Sequence, residues 1–294
     1  MNATDIDRRQ FLQSSLMATA LAAAGRLPLL AAETTSGSGI DPDLGGYPIK
    51  TIRGYLEEFT PAATAQDNPN RLHLAYDIIY WVGGNRLSGQ CRNTVIGRVE
   101  IDRLTTPDAL QYQVTQHTKI GAIDNSLKAT LTCALDAPNS VRSWQLHAHH
   151  TRANNQVIPT SRISEAGSTE DGKIQIDGGK YKYDYTPAHP VLTQWTIPDL
   201  LLRTAAPKTN LTFDLLQDLS IYKPNQSIAY DGQTEVPIAG AKKVTLNTYA
   251  QTGNALLPTH YLLDNKNRPQ LITTSILSWA LTECSSNTQE RTVA

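Results

Sequence analysis

The chain has 294 residues, with 26 Lys plus Arg set against 27 Asp plus Glu and a formal net charge of −1 at pH 7. Neither a basic stripe nor an acidic block runs along it, which removes the electrostatic footprint of a nucleic-acid or anionic-membrane partner. Three cysteines (Cys91, Cys133 and Cys284) permit one intrachain disulfide at most.

The first element is a polar stretch, Met1 to Asp7, followed by Arg8-Arg9-Gln10-Phe11-Leu12 and an uncharged run rich in Ala and Leu as far as Gly25. A second apolar patch, Leu27 to Ala32, follows Arg26. A bilayer-spanning helix needs about 20 predominantly apolar residues, and this run is too short and too weakly apolar to supply one. The three-part form is that of a removable targeting segment. With Arg8, Arg9, Phe11 and Leu12 in place it resembles the twin-arginine export signal, departing from it at Asp7 and Gln13. The resemblance implies export through the twin-arginine (Tat) translocase to the periplasm or beyond. Cleavage after Ala24 or after Ala32 fits the small residues there. The first cysteine beyond the run is Cys91, so neither a lipid anchor nor any other stable membrane anchor is expected.

The expected organisation is a signal peptide over 1–32, a flexible polar start over 33–50, one antiparallel β domain over 51–284 and a disordered tail over 285–294. Period-two alternation, the mark of half-buried strands, fills the domain. In "RLHLAYDIIYWV" Leu72, Leu74, Tyr76, Ile78, Tyr80 and Val82 share a face. In "LQYQVTQHT" Leu110, Tyr112 and Val114 oppose Gln111, Gln113, Thr115 and His117. "SLKATLTCAL" sets Leu127, Ala129, Leu131, Cys133 and Leu135 against Lys128, Thr130 and Thr132. "VRSWQLHAHH" places Trp144, Leu146, Ala148 and His150 opposite Ser143, Gln145, His147 and His149.

Further on, Ile174 and Ile176 meet Tyr181, Tyr183 and Tyr185 across Asp177-Gly178-Gly179, a hairpin signal. "IPDLLLRTAA" is the best helix, because Pro198 suits a first turn and Asp199 complements the positive end. "LTFDLLQDLS" fits helix or strand equally. "KKVTLNTYAQT", "HYLLD" and "QLITTSILSWAL" are further strands, with "NKNR" turning one hairpin. Sequential short strands predict an all-β fold with few short helices: a large curved antiparallel sheet, a half-open barrel or a sandwich. Curvature makes a concavity for a ligand. The stretch from Thr252 to Ile272, in which Pro258, Asp264 and Asn265 shape a hairpin, resembles the terminal hairpin of exported bacterial all-β families of unknown function, whose sheets are similar to lipoprotein carriers.

Two constellations could carry chemistry. His147 and His149 point to one side of a strand about 6.5–7 Å apart, a spacing that can share one Zn²⁺, Cu²⁺ or Fe²⁺. A third ligand would come from His117, two strands away, or from Glu165, Asp171, His189 or His260. Solvated sheet-face histidines are the plainer reading. Tyr181, Tyr183 and Tyr185, with Trp144, offer an aromatic surface for a sugar ring or an apolar chain, or else simply core and cross-strand pairs. No Gly-x-Ser-x-Gly elbow or Cys-x-x-Cys pair appears. Two functions follow as expectations: an exported protein that binds an amphiphile, glycan or protein partner in a sheet concavity, or a metal-assisted hydrolase or lyase acting on carbohydrate through His147 and His149. Replacing both Arg8 and Arg9 by lysine is expected to block export, so that uncut chain accumulates in the cytosolic fraction of the producing cell on immunoblotting. Unchanged export would refute the signal.

Overall fold

Alternating apolar and polar residues bury one face of a strand, and among the described residues fifteen strands, most of them of this kind, join in a single sheet. The computed structural model describes residues 49–63, 68–82, 92–135, 138–152, 154–206, 209–274 and 277–286. The export motif at Arg8, Arg9, Phe11 and Leu12, the start to residue 48, Cys91 and residues 287–294 lie outside the described residues. The strands in chain order are β1 (Arg71–Val82), β2 (Arg92–Thr105), β3 (Leu110–Ile120), β4 (Ile123–Cys133), β5 (Val141–Arg152), β6 (Ile163–Glu170), β7 (Lys173–Asp177) and β8 (Lys182–Tyr185). They continue with β9 (Val191–Leu192), β10 (Asn210–Gln217), β11 (Ile221–Ile238), β12 (Lys242–Gly253), β13 (Thr259–Leu263), β14 (Pro269–Thr273) and β15 (Leu277–Ser285). Two short helices accompany them, α1 (Arg53–Leu56) and α2 (Ile197–Thr204). Among the described residues no helix is long and apolar enough to cross a membrane.

The order across the sheet is β8-β7-β6-β5-β4-β3-β2-β1-β15-β14-β13-β12-β11-β10-β9. Two meanders run outward from the β1–β15 pair, and the chain's middle therefore supplies both outer edges. That topology decides the shape. Fifteen strands laid flat would set the edges about 67 Å apart at 4.8 Å per strand. Residues 186–190, which join β8 to β9, reach at most about 22 Å even when fully extended. The sheet must curl until its edges nearly meet. It stays open, because β8 and β9 are not paired.

The expectation of a wholly antiparallel sheet needs one correction. β9 and β10 pair in parallel, through Asp214↔Val191 and Leu215↔Leu192. The reason is the connection: residues 193–209 carry α2, and a parallel pair requires such a helical crossover. "LTFDLLQDLS" resolves as β10, whose run Phe213–Leu216 is buried throughout. "QLITTSILSWAL" splits into β14 and β15 at a turn closed by Thr274, whose hydroxyl accepts from Leu277 N at 3.1 Å and whose N–H donates to Leu277 O at 3.0 Å. Leu135 is 41% exposed because the strand ends at Cys133.

The inner face carries the main core, to which every strand from β1 to β5 contributes, joined by α2 and Trp195. A barrel of so many strands encloses more space than one layer of side chains fills, and α2 occupies part of it. Its Asp199, fully buried, accepts from Tyr112 Oη at 2.6 Å and lies 3.3 Å from Arg103 Nε and 3.2 Å from Arg203 Nη2. A smaller second core lies on the outer face, where Ile49, Ile52, Leu56 and Phe59 cover Ile79, Val236, Leu246, Leu262, Leu271 and Ala280. Gln270 fastens that segment, donating to Ala62 O at 3.0 Å and accepting from Ala62 N at 2.9 Å.

At the open seam, side chains replace the missing backbone ladder. Tyr185 of β8 stacks on Tyr222 of β11 with centroids 4.9 Å apart. Asp214, 0% exposed, accepts from the N–H groups of Ala188 (2.9 Å), His189 (3.2 Å) and Asn225 (2.9 Å) and from Tyr222 Oη (2.8 Å). Burial alone would push its carboxyl up, but the four donors outweigh burial and hold it below the ordinary carboxylate value. Asp214→Ala strands those donors at once and is expected to cost about 3 kcal/mol or more, read as a fall in the urea midpoint. A loss below about 0.5 kcal/mol would mean that the seam does not depend on it.

Candidate functional site

Register sorts the inner face into rows that cross the whole sheet. The row Leu72–Arg103–Tyr112–Leu131–Trp144–Gly167–Ile176–Tyr183 lies at the end that α2 fills. Above it comes Leu74–Ile101–Val114–Ala129–Leu146–Glu165, and then Tyr76–Val99–Gln116–Leu127–Ala148–Ile163. A fourth row spans ten strands: His150–Asn125–Thr118–Gly97–Ile78–Trp279–Ile272–Tyr261–Tyr249–Tyr230. From the first row to the fourth is six residues along a strand, or about 20 Å.

The fourth row differs from those beneath it. His150, Asn125, Thr118, Trp279 and Tyr230 are half-buried, whereas Leu74, Ile101, Val114 and Ala129 are buried. Its two halves also differ in kind. β3 to β5 contribute amide, hydroxyl and imidazole groups, with Gln116 just below, while β11 to β15 contribute three tyrosines and a tryptophan. β4 and β12 lie seven places apart in the sheet order, and beyond the aromatic half Gln251 and Ile228 are still buried. The row as a whole is amphipathic, and its half-buried members make a candidate mouth of the curled sheet. At Gly97 the backbones of β2 and β3 approach so closely that a Cβ would lie 1.9 Å from His117 O.

Polar groups on either side of the fourth row are unevenly satisfied. Tyr261 Oη donates to Gln251 Oε1 at 2.8 Å. Tyr76, whose ring centroid lies 5.9 Å from that of Trp279, has no hydrogen-bond partner for its hydroxyl among the described residues, and neither does Gln251 Nε2. Burial pushes the Tyr76 phenol far above its ordinary value, with Cys284, Asp199 and Tyr261 adding to it. Cys284 itself is pushed up to about 11 by burial. Both groups therefore keep their protons at any physiological pH.

The residues singled out from the sequence fall in three places. Tyr181, Tyr183 and Tyr185 form a half-buried row on the inner face of β8 and its turn, with centroids 5.4 and 6.4 Å apart, and Tyr222 extends it across the seam. Their faces lie against one another, so the row offers ring edges and hydroxyls. Tyr181 Oη donates to Glu165 Oε2 at 2.9 Å. Trp144 is 3% exposed inside the main core, its ring laid over Gly167, where a Cβ would come within 2.1 Å.

His117, His147 and His149 lie on the outer face. His117 pairs with Ser126, which pairs with His149, so two strand spacings separate those imidazoles as the meander implies. Glu165 faces the interior and cannot join them. Among the described residues no group of three or more His, Cys, Asp or Glu side chains is placed to hold a metal ion. Cys133 is a buried free thiol, pushed up to about 12 by burial, and its suggested disulfide partner Cys91 lies outside the described residues. An open polar hollow of about 550 Å³ on the outer face of β6 to β8 contains the ion pair Lys182–Asp177 at 2.9 Å.

One charged cluster was invisible in the sequence because register alone assembles it. On the outer face Ser285, His73 and Asp102 are cross-strand neighbours on β15, β1 and β2. His73 Nδ1 lies 2.8 Å from Asp102 Oδ1, and Nε2 lies 3.9 Å from Glu283 Oε2. The hydrogen bond to Asp102 pushes the imidazole above its ordinary value; burial opposes this, and Glu283 and Glu100 assist it. Carboxylates on both sides favour its protonated form, which is a poor general base, so the cluster ties β1 to β2 through Asp102 and to β15 through Glu283. A raised folded value means that the stabilisation is complete below pH 6.5 and is lost as pH rises through that value. His73→Gln should therefore lower the melting temperature more at pH 5.5 than at pH 8.5, as read by calorimetry. Equal losses at both values would refute the assignment. No family model, curated protein or solved structure matches the chain, so the mouth, the tyrosine seam and the histidine face are read on their own geometry.

Proposed function

We propose that the protein is an exported envelope protein that binds an amphiphile in the open end of its curled sheet. One observation carries the reading: the fourth inner row joins half-buried Trp279 and Tyr230, with Tyr249 and Tyr261 between them, to half-buried His150, Asn125 and Thr118. An apolar chain gains by covering aromatic edges there, and a polar part of the same molecule gains by meeting the amide and hydroxyl groups of the other half. Neither wall alone explains the other. A purely structural end would be capped with apolar residues or left uniformly polar.

The tyrosine seam supports the same reading. Tyr181, Tyr183, Tyr185 and Tyr222 present edges with their faces occupied, which suits contact with an aliphatic chain better than face-stacking on a sugar ring. Glycan recognition therefore ranks below amphiphile binding.

Native mass spectrometry of the mature protein from a membrane-containing extract is expected to reveal a retained amphiphile. Trp279 fluorescence should respond saturably to its return after delipidation. Trp279→Ala is expected to weaken binding about tenfold, close to 1.4 kcal/mol, with the far-ultraviolet β spectrum unchanged. Absence of both a retained ligand and a saturable response would refute the proposal.

A further inference from the structure

We propose that Tyr185 and Tyr222 are an oxidative modification site, at which a one-electron oxidant derived from hydrogen peroxide joins the two rings into dityrosine and closes the open seam covalently. Nothing in this depends on the amphiphile reading.

Radical coupling asks for two phenol rings lying one over the other, because the new bond joins the ring carbons next to the two hydroxyls. Tyr185 of β8 and Tyr222 of β11 meet that demand, with centroids 4.9 Å apart and planes inclined by 25°. Tyr181–Tyr183 and Tyr183–Tyr185 stand farther apart, at 5.4 and 6.4 Å. Tyr230 and Tyr249 are 5.5 Å apart and meet edge-on at 66°. Of these pairs only Tyr185–Tyr222 crosses the seam, where β8 and β9 have no backbone pairing. Both rings are half-buried, so a small oxidant reaches them while the surrounding chain limits collision with a second molecule.

The proton has a place to go. Tyr222 Oη donates to Asp214 Oδ2 at 2.8 Å. Burial, and then that carboxylate, hold the phenol well above its ordinary value, so it meets an oxidant with its proton in place. A phenol that has lost an electron is a strong acid, and its proton passes along the existing hydrogen bond to Asp214. The far end of the row repeats the arrangement, with Tyr181 Oη donating to Glu165 Oε2 at 2.9 Å. A ring oxidised there passes its vacancy through Tyr183 to the seam pair. Sulfur offers little competition: Cys133 and Cys284 are buried thiols pushed up to about 12 and about 11 by burial, and both methionines, Met1 and Met17, lie ahead of residue 33.

The balance is simple. Each phenol gives up one electron and one proton, the two radicals form a carbon–carbon bond, and the ring hydrogens at the joined carbons move to the oxygens as aromaticity returns. One hydrogen peroxide takes up the two electrons and two protons and leaves as two waters. The product ties β8 to β11 and closes the chain between them into a loop, which constrains the unfolded state as a disulfide does.

The test treats the mature chain with hydrogen peroxide and a small haem peptide. A monomeric product lighter by two hydrogens is expected, with blue dityrosine fluorescence, peptides joined at Tyr185 and Tyr222, and a melting temperature raised by about 5 °C or more. Tyr222→Phe is expected to cut the fluorescence yield at least tenfold. Tyr185→Phe, which leaves Asp214 and its donors untouched, should give the same loss. A cross-link mapped to another pair or between chains, a yield that survives either substitution, or an unchanged melting temperature would each overturn the proposal. No ligand is read in this experiment, so its failure leaves amphiphile binding where it stood.

Discussion

Residues 186–190 impose the constraint from which the molecule's shape follows. They join strands that lie at opposite ends of a fifteen-strand order, and a short tether cannot span a flat sheet of that width. Curling is the only solution. It turns one face into an interior that must be packed and the other into a surface that must be wetted. The inner face duly carries nearly all the aromatic and branched side chains of the main core, while the outer face of β3 to β8 carries Gln, Thr, Ser, His and Lys. Where the outer face is apolar, on β1 and β11 to β15, the segment from Ile49 to Phe59 covers it.

The same tether explains why the ring does not close with hydrogen bonds. β9 is two residues long and already pairs in parallel with β10, so it offers β8 no ladder. Asp214 and the Tyr185–Tyr222 stack take over, one by gathering backbone donors from the tether and from β11, the other by packing across the gap. Such a seam is held by side chains instead of a backbone ladder.

Local features were legible in the sequence. The alternation in β1, β3, β4 and β5 assigned the inner and outer residues correctly, because a period of two is a property of neighbours along the chain. Pro198 and Asp199 marked α2, and Asp177-Gly178-Gly179 marked the β7–β8 hairpin, for equally local reasons. β10 gave no period because its run from Phe213 to Leu216 is buried on both faces. The curl, the β1–β15 junction and the parallel β9–β10 pair were not legible, since each depends on partners far apart in sequence. The candidate site was hidden for the same cause. Trp279, Tyr261, Tyr249 and Tyr230 look unrelated along the chain and become one row only through four successive strand pairings. The conspicuous tyrosines of β8 mark the seam, and His147 and His149 of β5 face the outer surface.

Buried polarity is satisfied unevenly through the interior. Around α2, Asp199 is matched by Tyr112, Arg103 and Arg203, while the indole N–H groups of Trp144 and Trp195 have no hydrogen-bond partner among the described residues. Tyr76 Oη and Gln251 Nε2, on opposite sides of the Tyr249–Tyr261 row, are in the same position. Selection for stability alone would replace Tyr76 by phenylalanine, which fills the same space and leaves no hydroxyl unmatched. The phenol is kept instead in a fully buried place beside Cys284, Asp199 and Tyr261, where burial holds its proton.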